Sequence, residues 1–338
     1  MIIDIFTHVF PQPVFERIDK LGLDLGPIGK RTRSMKLLFD MDARFKAMDP
    51  FGDYRQVIAL PNPPLEDFTD ARVGAELARA ANDALAQLVA DHPDRFQGFI
   101  AALALHDPQE AAQEASRACD ELGAAGVQLF TNVAGRPLDD AEFAPVFDAM
   151  AALDRPIWLH PARTPETRDF TAEDISRFEA WISLGWPYET SLTMLRLSLT
   201  GVLERHPGLN IITHHLGGIV PYHEARLATA FRNLGRRSDD EDYAPYKDAL
   251  SRDLVDYLKM FYGDTAMHGA VEPLRLGLSF FGADHVVFAS DAPYGPIEKC
   301  LAAIDRLDLC PADREKILSA NALRLLGADQ GRGDAPKA

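Results

Sequence analysis

Short apolar runs recur along the chain, and several of them stop abruptly at a histidine or an aspartate. One run ends at His160, and another, near the N-terminus, leads to His8. Two further runs end at the pair His214 and His215 and at Asp291. A short continuous apolar run is typical of a buried strand in a parallel sheet, where the residue that follows lies at the edge of the sheet. The pattern therefore predicts that these polar strand ends meet at one edge.

Eight such runs alternate with segments whose apolar residues have helical spacing, such as the alanine-rich segment from Asp70 to His92. Strands that alternate with helices predict a parallel sheet, and eight of them predict an α/β fold of the (β/α)8 TIM barrel type. No linker or internal repeat interrupts the pattern, so residues 1–327 are predicted to form a single domain. The predicted strands are residues 2–6, 56–60, 96–102, 126–130, 156–160, 209–215, 258–264 and 285–290.

Two segments are too long to be tight loops between a strand and a helix. Residues 10–45, after strand one, contain three prolines and a basic run, and residues 164–188, after strand five, are rich in aromatic side chains. We expect both to be insertions beside the mouth of the barrel. The aromatic insertion would suit stacking on a flat ring, a small satellite core or a dimer contact. Residues 328–338 lack an apolar pattern and are predicted to be a disordered tail.

The chain has 338 residues and a formal net charge of −16 at pH 7. This charge argues against nucleic acid or an anionic membrane as a partner, because both require a basic surface. The three cysteines are widely spaced and form no CxxC pair, which is typical of reduced thiols. No apolar run approaches the ~20 residues that span a bilayer, and the N-terminus does not have the composition of a signal peptide. We therefore expect a cytoplasmic protein.

The strand ends supply the candidate chemistry. Active sites of (β/α)8 barrels lie at the C-terminal ends of the strands, and imidazole and carboxylate groups there are typical ligands of a single divalent metal ion. Because successive residues of a strand face opposite sides, His214 and His215 are expected to point in opposite directions. Asp264 is expected either to cap a helix or to orient a ligand. The remaining candidates, His106, His206, His223, His268 and His285, are expected to be structural or surface residues.

Four motifs in order along the chain resemble one family. No single motif is specific, but the ordered set resembles the amidohydrolase superfamily, in particular the branch that contains aminocarboxymuconate-semialdehyde decarboxylase and γ-resorcylate decarboxylase. The similarity extends from strand one to strand eight. The motifs are Asp4-x-Phe6-x-His8, His160-Pro161, Thr213-His-His-Leu-Gly-Gly218 and Ser290-Asp-Ala-Pro-Tyr294.

The resemblance implies a divalent metal ion, zinc or manganese, with His8, His160 and Asp291 as its ligands. It implies that His215 polarises or deprotonates the metal-bound water and that Asp291 also carries a proton to the substrate. One residue departs from the family pattern, because Phe6 stands where the family has the first histidine or glutamate of the strand-one pair. Phenylalanine cannot bind a metal. Water could fill the position, His215 could move onto the metal, or the metal could be weakly held or absent.

The same groups serve two reactions. Our preferred hypothesis is non-oxidative decarboxylation of an aromatic or unsaturated carboxylic acid, in which Asp291 protonates a substrate carbon and carbon dioxide leaves. The alternative is hydrolysis of a lactone, an amide or a ring-cleavage product by the metal-bound water. A third hypothesis, kept open by Phe6, is a barrel that binds a ligand without turnover.

Three arginines are candidates for binding the substrate's carboxylate, which the planar guanidinium group matches with two parallel hydrogen bonds. By resemblance, Arg44 occupies a position that holds a substrate carboxylate, and Arg226 one that reaches the active site of a neighbouring subunit, which predicts a homodimer. Arg163 follows His160 closely and would face the mouth. With 51 acidic residues in the chain, each of these arginines could equally form a surface salt bridge.

Overall fold

Eight strands pair in parallel and in chain order to form the sheet of a (β/α)8 barrel, as the sequence predicts. The computed structural model describes residues 1–237 and 241–327. The first and last strands are joined where the Ile5 N–H donates to the Phe288 carbonyl at 2.9 Å and the His8 N–H donates to the Ala292 carbonyl at 2.8 Å. The strands are β1 (Ile2–His8), β2 (Tyr54–Ala59), β3 (Phe96–Ala101), β4 (Gly126–Phe130), β5 (Ile157–His160), β6 (Ile211–Thr213), β7 (Tyr262–Asp264) and β8 (Val286–Val287).

Helices pack around this sheet and also form parts of the long connections. None of the described helices combines the length and the hydropathy that crossing a bilayer requires. The predicted tail, residues 328–338, lies outside the described residues. The α-helices span Gln12–Leu21, Gly29–Ser34, Met41–Met48, Ala71–Asp91, Pro108–Asp120, Ala144–Leu153, Ala180–Ser183, Gly185–Leu199, Val202–Arg205, Glu224–Arg232, Ala244–Asp248, Leu254–Leu258, Val271–Phe281, Ile297–Asp305, Pro311–Glu315 and Asn321–Leu325, and a π-helix spans Lys316–Ala320.

The sheet differs from the sequence prediction at strand seven. The segment predicted as one strand from residue 258 begins as the end of the helix Leu254–Leu258, and β7 is only three residues long. Leu254, Tyr257 and Leu258 are all buried. Their spacing of three and four residues is that of one helix face, so the apolar run has a helical period that the strand prediction overlooked.

Other limits differ as well, since β6 and β8 are shorter than predicted. The apolar spacing predicts one helix from Glu189 to His206, whereas the helix in the structure begins at Gly185 and ends at Leu199. Gly201, which has a left-handed φ of 76°, separates it from the short helix Val202–Arg205. A two-residue hairpin after β4, formed by Asn132–Val133 and Arg136–Pro137, was not predicted from the sequence.

An apolar plug fills the barrel directly beneath the mouth. Phe6, Trp158 and Ile212 are fully buried, and each lies two residues before a histidine at a strand end. Because every second residue of a strand faces the same side, these three side chains lie below the histidines. The Trp158 Nε1–H also donates to the carbonyl of Ile5 at 3.0 Å, which connects β5 with β1 across the barrel.

Replacing Trp158 with alanine is expected to lower the free energy of unfolding by about 3–5 kcal/mol, because it opens a cavity in a packed interior and leaves a buried carbonyl unpaired. Urea unfolding followed by circular dichroism measures the effect. Trp186→Ala, at a partly buried residue of the second insertion, is the matched control and should cost clearly less. An equal loss of unfolding free energy in the two variants would mean that Trp158 contributes no more to packing than a partly buried residue outside the barrel interior.

Candidate metal centre

His8 and His160 lie side by side at the ends of β1 and β5. Their ring centroids are 5.5 Å apart, and both side chains are buried. The Nδ1 of His160 is 2.8 Å from the carbonyl of Pro161. An N–H donated to that carbonyl fixes the tautomer and leaves Nε2 as the free ring nitrogen, which is the usual arrangement of a metal-binding histidine.

Asp291 comes to the same place from the segment after β8. Its Oδ1 is 3.2 Å from the Nε2 of His8 and 3.5 Å from the Nε2 of His214. The backbone of Asp291 is left-handed, with a φ of 62°, and a side chain at Gly295 would collide with the carbonyl of Ser290. This tight turn directs the carboxylate towards the histidines. The structure thus brings His8, His160 and Asp291 together, as the sequence predicts, and their roles as ligands remain predictions.

His214 and His215 do not point in opposite directions, and that expectation was wrong. Their ring centroids are only 3.8 Å apart. The chain leaves the extended conformation after Thr213, because both His215 (φ 54°) and Leu216 (φ 55°) are left-handed. The alternation of a strand no longer applies there. Metal-binding atoms of His214, His215 and Asp291 consequently lie within 4.8 Å of one another.

Asp264, at the end of β7, holds this histidine pair in position. Its carboxylate accepts a hydrogen bond from the Nδ1–H of His214 and another, at 2.9 Å, from the backbone N–H of His215. It also accepts one from the backbone N–H of Ala266 at 3.1 Å. Of the two roles that the sequence left open, orienting a histidine is the one that the contacts support.

Phe6 occupies the floor of the site among three imidazoles. The centroid of its ring is 5.1 Å from that of His8, 5.8 Å from that of His160 and 4.8 Å from that of His214. The departure from the family pattern therefore places an apolar surface, with no donor atom, directly beneath the convergent nitrogens.

The imidazoles of His8, His160 and His215 are held in the neutral form. Burial, the largest cause in each case, lowers the pKa of His8 and places the pKa of His160 and of His215 well below the usual range. A neutral imidazole has a lone pair available for a metal ion.

The charge of the site is concentrated on Asp291 and His214. Burial alone would raise the pKa of Asp291, but the adjacent imidazoles of His214 and His8 favour the ionised carboxylate and hold that pKa well below its usual range. Burial alone would lower the pKa of His214, but Asp264 and Asp291 raise it to about 10. The site thus contains an ionised carboxylate enclosed by imidazoles.

Several ring nitrogens in this site have no hydrogen-bond partner among the described residues. They are Nδ1 and Nε2 of His8, Nε2 of His214 and Nδ1 of His215, and all are buried. A buried nitrogen without a partner costs free energy unless something binds it. Nitrogen donors around one carboxylate oxygen fit a divalent ion such as manganese or zinc.

Arg44 does not face the mouth with a free guanidinium group. It is 2% exposed, and it donates to the side chain of Gln56 at 2.7 Å, to the carbonyl of His8 at 2.6 Å and to Oγ1 of Thr7 at 3.0 Å. This geometry favours a role in bracing the end of β1 over the substrate contact expected from the sequence.

Arg163 and Arg226 are placed differently. Arg163 lines three cavities, of about 460, 380 and 560 Å³, but its guanidinium is paired with Glu189 at 3.0 Å and with Asp169 at 3.4 Å. Arg226 is exposed on the helix Glu224–Arg232 and forms no ion pair with any residue that the structure describes.

The structure adds aromatic neighbours that sequence reasoning did not assign, among them Phe130, Trp186 and Tyr294. The ring of Trp186 lies 5.5 Å from that of His160, and the ring of Tyr294 lies 5.6 Å from that of His8. Tyr294 ends the motif that contains Asp291, so its position in that motif was the available signal. Trp186 lies in the aromatic insertion, where no spacing distinguished it from its neighbours.

The chain was compared with known proteins. The amidohydrolase family model matches residues 3–328. A γ-resorcylate decarboxylase of Polaromonas sp. is 34% identical over 301 residues, covering 86% of this chain and 88% of that one. A 2-amino-3-carboxymuconate-6-semialdehyde decarboxylase of Dictyostelium discoideum is 27% identical over 262 residues, covering 76% of this chain and 68% of that one.

A solved structure resembles the whole fold. The dihydroxybenzoic acid decarboxylase of Polaromonas sp., determined with bound manganese and the inhibitor 2-nitroresorcinol, has a TM-score of 0.77 and 28% identity and covers 98% of both chains. The family match spans nearly the full sequence and includes all eight strands that carry the site. The chain therefore belongs to the amidohydrolase family.

Proposed function

We propose that this protein is a metal-dependent carboxy-lyase that removes carbon dioxide from an aromatic carboxylic acid. The observation that carries the proposal is the convergence of unpaired imidazole nitrogens of His8 and His214 on one oxygen of Asp291, at 3.2 and 3.5 Å. Decarboxylases that act on aromatic acids are similar to this chain over most of its length, one of them with manganese bound.

The residues of the site have separable tasks in this reaction. His8, His160 and Asp291 would hold the ion, and its contribution would be that of a Lewis acid, which stabilises negative charge on the substrate. Asp291 delivers a proton to the ring carbon that bears the carboxylate. The bond between that carbon and the carboxylate then breaks, its electron pair restores the ring, and carbon dioxide leaves.

His215 is suited to supply the proton to Asp291. The resting carboxylate is ionised, so it must receive a proton before it can give one. A ring nitrogen of His215 lies within 4.8 Å of the carboxylate, a distance that one water molecule can bridge in a proton transfer. Burial holds the pKa of His215 low, so its ring rests in the neutral form. It takes a proton from solvent and, once protonated, readily passes that proton on to the carboxylate of Asp291.

The walls of the mouth suit a flat ring. Trp186 stands beside His160 and Tyr294 beside His8, at ring-centroid distances of 5.5 and 5.6 Å. Aromatic side chains in such positions bind a planar substrate through stacking and edge contacts. Arg163 is the proposed carboxylate contact within the chain, and binding there would require it to exchange its partner Glu189 for the substrate.

Carbon dioxide release from a panel of hydroxybenzoates and carboxymuconate-like acids tests the function. The protein loaded with manganese or zinc is expected to release carbon dioxide from at least one aromatic acid. Lactones and amides of the same rings form the parallel panel. Hydrolysis of one of these without any carbon dioxide release would replace the carboxy-lyase by the hydrolase alternative, and no turnover of either panel would favour a ligand-binding barrel.

A homodimer is part of the proposal. Monomeric proteins rarely expose large contiguous apolar surfaces, yet the second insertion and the segment after β6 expose many large apolar side chains. The backbone N–H of Ile219 donates to Oγ of Ser191 at 2.8 Å, which places the segment after β6 against the helix Gly185–Leu199, whose first turn belongs to the insertion. Light scattering that returned the mass of a single chain would contradict a dimer. The exposed residues are Phe170, Ile175, Phe178, Leu184, Tyr188, Ile219 and Tyr222.

Arg226 is proposed to reach the substrate of the partner subunit. Arg226→Ala is expected to raise KM about tenfold with little change in kcat, because loss of a hydrogen bond to a charged group costs about 1.5–3 kcal/mol of binding. Arg232→Ala, on the same helix, is the matched control and should leave KM unchanged. An unchanged KM in Arg226→Ala would remove Arg226 from the site.

We propose a cytoplasmic location because the cysteines are unpaired. Cys119, Cys300 and Cys310 are all free thiols in the structure, and reduced thiols are typical of proteins in a reducing compartment.

A further inference from the structure

We propose that His214 is a metal ligand, and that it supplies the donor that the chain lost when phenylalanine came to stand at position 6. The inference rests on the metal site of the proposed function and concerns which imidazoles surround the ion. It gives His8, His160, His214 and Asp291 as the donor set, with His215 left for proton transfer.

The ring nitrogens of His8 and His214 converge on the same oxygen atom. Nε2 of His8 and Nε2 of His214 lie on either side of the same carboxylate oxygen of Asp291, at 3.2 and 3.5 Å. Both nitrogens are buried and have no hydrogen-bond partner in the described part of the chain. His214 is 1% exposed and His8 is fully buried. A divalent cation bound here would displace the Nε2 proton that the neighbouring carboxylates favour on His214, and the two nitrogens and the ionised oxygen would then share the ion.

The other ring nitrogen of His214 is held by the carboxylate of Asp264. Its Nδ1–H donates to Asp264, which is itself fully buried and fixed by backbone N–H groups of His215 and Ala266. Histidines that bind metals commonly donate the N–H of their second ring nitrogen to a carboxylate. This hydrogen bond sets the tautomer and makes the metal-binding nitrogen more basic. Among the histidines of the site, His214 is the one whose ring nitrogen donates to this carboxylate.

Phe6 lies beside the imidazole that would replace the missing donor. Its ring is closest to that of His214, at 4.8 Å between centroids, and also touches the rings of His8 and His160. The side chain at position 6 and the imidazole of His214 thus border the same small volume from different strands. A donor lost from β1 can therefore be replaced from the end of β6 without moving the other ligands.

His215 provides the internal comparison. It lies next to His214 in the sequence and in space, with ring centroids 3.8 Å apart. The bond from Asp264 reaches its backbone N–H and leaves its ring without a carboxylate partner. Substitution of either histidine removes one imidazole from the same region. If metal affinity falls in only one of the two variants, the histidine changed in that variant is the ligand and the other is the acid–base residue.

The test is the manganese affinity of purified, metal-depleted protein, measured by isothermal titration calorimetry. His214→Ala is expected to weaken binding by at least about 100-fold, and Asp264→Asn by about 10–100-fold, since it only orients the ligand. His215→Ala is the matched control and should bind manganese within about threefold of the natural protein while losing turnover.

A reciprocal substitution makes the test specific. The double variant Phe6→His with His214→Ala restores the donor count from β1, and it is expected to recover most of the affinity lost in His214→Ala. Phe6→Leu with His214→Ala is its control and should recover none. Recovery only in the histidine variant shows that the loss came from a missing donor and excludes a general disturbance of the fold.

A measurement on the unsubstituted protein covers the case in which the variants do not fold. Pulsed electron paramagnetic resonance of the copper-loaded protein counts the coordinated imidazoles, and three are expected. A count of two, or a His214→Ala variant that binds manganese as tightly as the natural protein, overturns the assignment and leaves the proposed function standing. Failure of the natural protein to bind any divalent metal overturns the proposed function as well.

Discussion

Replacement of Asp291 by asparagine is expected to lower kcat by about 10³-fold, a size typical of the loss of a positioned proton donor. Asparagine keeps the shape of the side chain but can neither carry the proton nor offer a charged oxygen to the ion. The fold should survive, because Asp291 lies at the rim, after the last strand, and fills none of the barrel interior. Initial rates of carbon dioxide release measure the effect, and thermal unfolding checks the fold.

Asp284→Asn is the matched control for this substitution. Asp284 lies just before β8, at the opposite end of the strand from Asp291, and its side chain is 69% exposed in a surface ion pair with Lys316. Such a pair contributes little to stability, and catalytic groups of this fold lie at the other end of the strands. Full activity in Asp291→Asn would show that the proton reaches the substrate from another group.

Removal of the metal is expected to abolish turnover and to lower the melting temperature. An ion that binds only the folded protein stabilises it by about 2.7 kcal/mol at a concentration 100 times its dissociation constant, and that contribution disappears with a chelator. Dialysis against a chelator, followed by addition of manganese or zinc, should remove and then restore both activity and melting temperature. The unpaired nitrogens of His8 and His214 are the physical reason, because without an ion they remain buried and unsatisfied.

Reversibility is the control for metal removal, since a chelator that merely damaged the protein would leave it inactive after the ion returns. Metal analysis should find close to one ion per chain in the restored protein. Full activity in protein that holds less than about 0.2 ions per chain would contradict a metal-dependent reaction, because a site of this kind is expected to bind almost stoichiometrically.

Phe6 shows where family resemblance and local chemistry give different information. The resemblance predicted a metal site of the usual kind, whereas the residue at position 6 cannot contribute to it. The structure places the ring of Phe6 against three imidazoles, so the position is still part of the site. Because phenylalanine stands at position 6, the metal donors of the site must come from the neighbouring side chains.

The barrel and the meeting point of its strand ends could be predicted from the sequence. Apolar runs that end at His8, at His160 and at Asp291 indicate parallel strands, and the C-terminal ends of parallel strands must share one edge. Trp158 could be placed beneath His160 for the same reason, because residues two apart on a strand face the same side. These conclusions need only the period of the strand, which is a property of local sequence.

The orientation of individual side chains was decided by the tertiary structure. His214 and His215 face the same site because two left-handed residues interrupt the strand, and no local pattern announces such a turn. Arg44 is turned inward by acceptors on Thr7, His8 and Gln56, at 2.6 to 3.0 Å, which are distant in sequence. A strand's period determines which residues reach the mouth, whereas the partners that satisfy each buried polar group determine where it points, and those partners come together only when the barrel closes.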